Sequence, residues 1–191
     1  MINCYDRHYF KHFRVDPMAA LREELSSFST DRATVVRAGA GGWKVQDKAV
    51  EFGGFRTEGD AAQAQRILRH CRADSTGYLA TRNHSSLRYI LVGGRAPVGP
   101  APGEYVLEFD PWGLRLKRGS RGWLVSDESP HSRGGGSHRD VLWFPDRGNH
   151  DRSGVDAQEA RTAIKIIRKY GFTRKCGVGG WPDSALIYFR R

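Results

Sequence analysis

The chain has 191 residues, enough for one ordinary hydrophobic core or two small ones of roughly 80 to 100 residues each. Its 31 Lys and Arg against 21 Asp and Glu leave a net charge of +10, which favours anionic partners and says nothing of fold. No apolar run approaches a membrane span, the opening residues MINCYDRHYFKHFR lack a signal-peptide core, and three cysteines are too few for a disulfide framework. A soluble, cytoplasmic protein with free thiols at Cys4, Cys71 and Cys176 is the expectation.

Taken from the N-terminus, the first expected element is a helical insertion over about 17–30. Asp16 would cap it, Pro17 would take its first position, and Ala20, Leu21 and Leu25 would form its apolar face. Val35-Val36-Arg37 and Trp43-Lys44-Val45 then flank a Gly-rich turn, the pattern of a hairpin, and a third short strand is expected at Ala49 to Phe52. After a helix, strands at Gly77 to Ala80 and Leu87 to Leu91 close the first half. The Pro- and Gly-rich RAPVGPAPGE, residues 95–104, reads as a linker.

The second half repeats this order. Leu114-Arg115-Leu116 and Trp123-Leu124-Val125 flank another Gly-rich turn, and Val141 to Phe144 forms the third strand. Asp156 is the expected N-cap of a helix with Ala157, Ala160, Ala163, Ile164 and Ile167 at helical spacing, and Gly171 fits its C′ position. Strands at Cys176 to Val178 and Ala185 to Phe189 end the chain.

Direct comparison of the halves supports a duplication. VRAGAGGWKVQD lies over LKRGSRGWLVSD without a gap at an offset of 80, with Gly39/Gly119, Gly42/Gly122, Trp43/Trp123, Val45/Val125 and Asp47/Asp127 identical. RILRHCRADSTGYLATRNHSSLRYI lies over KIIRKYGFTRKCGVGGWPDSALIYF at an offset of 99. Two weaker matches, Phe13 to Pro17 over Leu107 to Pro111 at 94 and Phe52 over Phe144 at 92, place the insertions. The resulting expectation is an α+β fold: an internal duplication of a small antiparallel sheet packed on one helix, with an extra N-terminal helix in the first copy. Its first repeat is 1–94, its linker 95–104 and its second repeat 105–191, with polar loop insertions at about 128–139 and 145–154.

GGWKVQD, RGWLVSD, VLWF and IIRKYGFTRKCGVGGWP resemble the motifs of a module found in predicted, mostly secreted proteins, often in tandem. The resemblance covers most of both copies and implies an accessory binding role. The module's two cysteines per unit would suit a disulfide, but Tyr105 stands at the first position in copy two and Gly77 at the second in copy one. The arginine of its V-G-R-P stretch is also missing, so no anion contact can be carried over to Gly179-Gly180-Trp181-Pro182.

Several residues invite chemistry. Cys176 follows Arg174-Lys175, whose charge would favour a thiolate, but it opens an apolar strand and its counterpart is Gly77, so it reads as a small buried structural cysteine. His131, His138 and His150 fall in the polar insertions of copy two; they are candidate metal ligands only if those loops converge, since no zinc spacing is present, and no cofactor is expected. Trp43 and Trp123 recur and suit a duplicated core position, whereas Trp112, Trp143 and Trp181 occur in copy two alone and suit exposed contacts. Arg115 and Lys117 share one face of an alternating strand, with Arg121 and Arg174 nearby in sequence.

These residues point to a non-enzymatic binding module for a polar or anionic ligand, a carbohydrate or polyanion, held by Trp181, Trp112, Arg115, Lys117, Arg174 and Arg121. One alternative is a nucleic-acid-binding protein using its basic strands and helices. Another is a small metal-dependent hydrolase using the His-rich loops. No membrane partner is expected, and the oligomeric state is not legible.

Overall fold

The computed structural model describes residues 23–39, 41–79, 87–130, 139–145, 155–178 and 186–191. The first copy runs β1 (Glu23–Ser27), β2 (Thr34–Arg37), β3 (Trp43–Asp47), β4 (Val50–Phe55), helix α1 (Glu58–Cys71), β5 (Ser75–Leu79) and β6 (Arg88–Leu91). The second repeats this order as β7 (Tyr105–Glu108), β8 (Leu114–Gly119), β9 (Gly122–Asp127), β10 (Arg139–Pro145), helix α2 (Val155–Tyr170), β11 (Arg174–Val178) and β12 (Leu186–Arg190). These strands form four three-stranded antiparallel sheets in the orders β1-β5-β6, β2-β3-β4, β12-β11-β7 and β10-β9-β8. The α+β class and its repeated sheet pattern are as expected.

Local chemistry explains the shared motif. The Asp at its end turns back onto the chain entering the unit: Asp47 Oδ2 accepts from the Ser29 N–H at 2.6 Å, and Asp127 Oδ2 from the Asp110 N–H at 2.9 Å. Both carboxylates are buried, and the charged acceptor strengthens each bond. Thr57 caps α1 by accepting from the Asp60 N–H at 3.1 Å. At the other end Arg72 takes a left-handed conformation, φ 54°, at the position where copy two has Gly171 with φ 64°.

Each helix covers its own three-stranded sheet, but each closing hairpin also crosses into the other copy's core, keeping Ile90 or Phe189 in its own. Leu79, Leu87, Tyr89 and Leu91 of the first copy are buried with Leu114, Val125, Phe144, Ala163 and Ile167 of the second. Reciprocally, Cys176, Val178, Leu186 and Tyr188 join Val45, Phe52, Ala64, Ile67 and Leu68. β6 lies against β12 where the two hairpins cross. The connecting segment is part of this packing: Ala96 is buried in one core, Ala101 in the other, and the Pro97 carbonyl accepts from the Arg191 N–H at 2.9 Å.

Three expectations are corrected. The helix expected over about 17–30 is replaced at 23–27 by strand β1; residues 17–22 lie outside the described residues. Glu and Leu favour helix locally, yet β1 gains a full ladder to β5, and Phe28 after it packs edge-on against Phe52 at 5.2 Å. β1 faces β5 as β7 faces β11, so Ser27 corresponds to Glu108 and Phe28 to Phe109, an offset of 81 in place of 94. In the third strand, Val45 faces Phe52 while Val125 faces Leu142, so Phe52 corresponds to Leu142 and not to Phe144. Bulges at different places, Gly54 in β4 and Val141 in β10, cause the slip. The buried Lys175 Nζ donates to the Val141 carbonyl at 2.7 Å, satisfying the group that this bulge displaces.

Candidate functional site

Strand β8 is an edge of its sheet, and α2 runs beside it, leaving an open groove of about 350 Å³. Leu114, Leu116 and Ile164 line it with aliphatic surface. Arg115 from β8 and Arg161, Lys165 and Arg168 from α2 also border it, through the aliphatic parts of their chains, with their charged ends at the rim; no carboxylate borders it among the described residues. Helical spacing accounts for the last three, since positions i, i+4 and i+7 fall on one face of a 3.6-residue turn. Ala160, Ala163 and Ile167 of the same helix bury another stripe in the core, and Ile164 lies between the two.

Two of these cations are positioned by neutral carbonyl groups. Arg168 donates through Nε to the Pro111 carbonyl at 3.0 Å and through Nη2 to the Leu114 carbonyl at 3.3 Å. Arg115 Nη1 donates to the carbonyls of Trp112 and Leu114, at 2.9 and 3.0 Å. Carbonyls fix the direction of a guanidinium without cancelling its charge. Trp112, in the turn before β8, is 68% exposed, and the Arg168 guanidinium lies 5.4 Å from its ring centroid. Trp112 thus stands beside the groove, joined to its rim by Arg168.

Trp112 and Arg115, both expected as contacts, thus meet beside the groove, where Arg115 donates to the Trp112 carbonyl. Lys117 is engaged elsewhere, in a 2.7 Å ion pair with Glu128. Arg174 lies in a different sheet and pairs with Glu108 at 3.0 Å. Arg121 sits in the β8–β9 turn, on the order of 20 Å along the strand from Trp112. Trp181, His131, His138 and His150 lie outside the described residues. Among the described residues no group of three or more His, Cys, Asp or Glu side chains could hold a metal ion. Arg161 was not singled out from sequence, although its spacing from Lys165 and Arg168 was visible there.

The tryptophans shared by both copies sit at the rims of the cores, half-buried, each under an arginine. Arg37 lies 5.9 Å from the Trp43 ring centroid and Arg118 lies 5.3 Å from that of Trp123. Trp143 is also exposed, at 55%, and stands opposite Leu124 on the outer face of its sheet.

Cys176 is buried and lines a core, as the non-reactive reading required. Burial, assisted by the negative charge of Glu104, pushes its thiol up to about 12, and the same causes push Cys71 up to about 11. Both remain protonated at neutral pH, which removes the nucleophile that Arg174-Lys175 had suggested.

A pair of equivalent carboxylates, unforeseen from sequence, anchors the closing hairpins, and Glu23 also ties the first copy to the second. Glu23 accepts from the Tyr89 hydroxyl, from Tyr170 at 2.5 Å and from Lys169 Nζ at 2.5 Å. Glu104 accepts from the Tyr188 hydroxyl and from Arg190 through Nε at 2.9 Å and Nη2 at 2.6 Å. Burial alone would raise both carboxyls, but these donors hold them below the ordinary carboxylate range. Burial also raises Tyr89 and Tyr188, and their glutamate partners raise them further, so neither partner exchanges a proton near neutrality. These are struts, with no acid–base pair poised for catalysis.

Fold and groove together define a duplicated α+β protein whose second copy carries an aliphatic groove rimmed by cations, with an exposed indole beside it. Compared with family models, curated proteins and solved structures, the chain matches none. No helix among the described residues is long and apolar enough to cross a membrane.

Proposed function

We propose that this protein is a non-enzymatic binding module for an anionic ligand, a polyanion or an acidic carbohydrate, and that the β8–α2 groove is its site. The observation that carries the reading is the row of Arg161, Lys165 and Arg168 on one face of α2, at the rim of an aliphatic groove that no carboxylate borders among the described residues. Such a cluster repels itself unless an anion neutralises it, so the fold bears a cost that a ligand would relieve. The motif resemblance to tandem accessory modules points toward binding as well. The hydrolase reading rests on histidines outside the described residues and gains no support.

The test is a charge reversal that leaves the core untouched. The intact chain is titrated at low salt with inorganic polyphosphate, a sulfated oligosaccharide and an oligonucleotide, beside an Arg161→Glu/Lys165→Glu variant. Wild type is expected to bind at least one polyanion, and the variant to lose about tenfold or more in affinity with its circular dichroism unchanged. Equal binding by both proteins, or binding by neither, would overturn the assignment.

A further inference from the structure

The groove's shape narrows the class of anion, and this step rests on reading it as an anion site. We infer that its occupant is a single strand of nucleic acid, with a base against the exposed face of Trp112 and phosphates along Arg168, Lys165 and Arg161.

The cations form a row, not a cup. From Arg161 to Lys165 the helix rises by about 6 Å and from Lys165 to Arg168 by about 4.5 Å, all on one side of α2. A small anion such as free phosphate calls for donors converging on one point, commonly including backbone N–H groups at a helix N-terminus. A row suits a linear polymer with charges at short regular intervals. Arg168 belongs to the last turn of α2, so the row approaches the C-terminal end of the helix, whose own dipole does not attract anions. Side-chain charge alone must therefore hold the ligand.

Trp112 stands beside the row, next to Arg168, and this neighbour separates a nucleic acid from an acidic sugar. Arg168 lies over the ring, while the indole remains 68% exposed, leaving room for a flat group to stack. Base stacking on such a ring needs only a π face and is tolerant of sequence. Sugar hydroxyls need acceptors as well as donors, and the lining contains no Asp, Glu, Asn or Gln. The same lack leaves only donors to read base edges, so recognition should depend little on sequence. Leu114, Leu116 and Ile164 supply an aliphatic floor suited to ribose and base edges.

The experiment compares three probes, a ten-nucleotide oligo-dT, inorganic polyphosphate and a sulfated decasaccharide, on wild type, Trp112→Ala, Trp112→Phe and Arg161→Ala/Lys165→Ala. Trp112→Ala is expected to weaken oligo-dT about tenfold and to leave polyphosphate within about twofold, with Trp112→Phe restoring most of the loss. Arg161→Ala/Lys165→Ala is expected to weaken oligo-dT and polyphosphate together and to reduce the salt slope for oligo-dT by about 1.4. If Trp112→Ala weakens both probes equally or neither, or if the decasaccharide binds more tightly than oligo-dT, the nucleic-acid inference fails while the anion groove stands. If the double variant binds every probe like wild type, the groove itself is wrong.

Discussion

The ring of Tyr89 fills the space that a side chain at Gly77 would occupy: a Cβ added there would overlap the Tyr89 ring near its hydroxyl end. Tyr89 is wholly buried, and its hydroxyl donates to Glu23, so the ring has no easy way to withdraw. The equivalent position in copy two is Cys176, which shares its core with Tyr188. Gly77→Ala is expected to destabilise the protein by about 1–3 kcal/mol, as overpacking of a filled core does. A urea midpoint within error of wild type would mean that Tyr89 is free to move.

How much of this was legible in the sequence differs by level. The motif ending in Asp47 and Asp127 marked the hairpins, because its glycines and alternating strands pair within a few residues, whereas the Asp contacts to Ser29 and Asp110 were not visible there. The offset of 99 placed both helices and both closing hairpins correctly. Register was not legible where a single extra residue sits in a bulge, as at Gly54 and Val141, since the strands on either side keep their apolar alternation. Nor was the exchange of hairpins legible: Leu79 or Val178 is equally apolar whichever helix it meets. At the site, Trp112 was recognisable as an aromatic without a repeat counterpart, whereas Lys117 and Arg174 found carboxylates on strands that sequence distance does not reveal.

The exchanged hairpins bear on independent folding. A chain of residues 1–94 alone would lose Cys176, Val178, Leu186 and Tyr188 from the core around α1, and a chain of 105–191 would lose Leu79, Leu87, Tyr89 and Leu91 from the core around α2. Exposing several large side chains at about 1.5–3 kcal/mol each exceeds the whole stability of a small domain. Each half is therefore expected to show no cooperative thermal transition alone, and a mixture of the two to regain one. Cooperative melting of an isolated half would show that the exchange is not required.

The Glu104–Arg190 pair is buried on both sides, with side chains 3% and 6% exposed. Glu104→Gln leaves the guanidinium without its countercharge and is expected to cost about 3 kcal/mol at pH 7. The sign of the pH dependence follows from the direction of the shift. Burial would raise the Glu104 carboxyl, but Arg190 and Tyr188 lower it below its ordinary value of 4.5, so the folded state binds its proton less readily than the unfolded chain. The stabilisation is fully present above about pH 4.5 and is lost as pH falls through the lower, folded value. Denaturant midpoints for wild type and Glu104→Gln should thus converge as the pH is lowered through this range. A gap independent of pH would remove the carboxylate from the account.

Thiol chemistry offers a separate check on burial. With Cys176 pushed up to about 12 and Cys71 to about 11, the thiolate fractions at pH 8 are on the order of one in ten thousand and one in a thousand. Cys4 lies outside the described residues, so a Cys4→Ser background confines the measurement to the other two. In that background the native protein is expected to take up almost no alkylating reagent during the time in which the urea-unfolded chain is labelled at both cysteines. Residual native labelling should favour Cys71, which is half-buried, over Cys176, which is fully enclosed. Rapid labelling of Cys176 in the native state would instead return a reactive thiol to the last hairpin and reopen a catalytic reading of it.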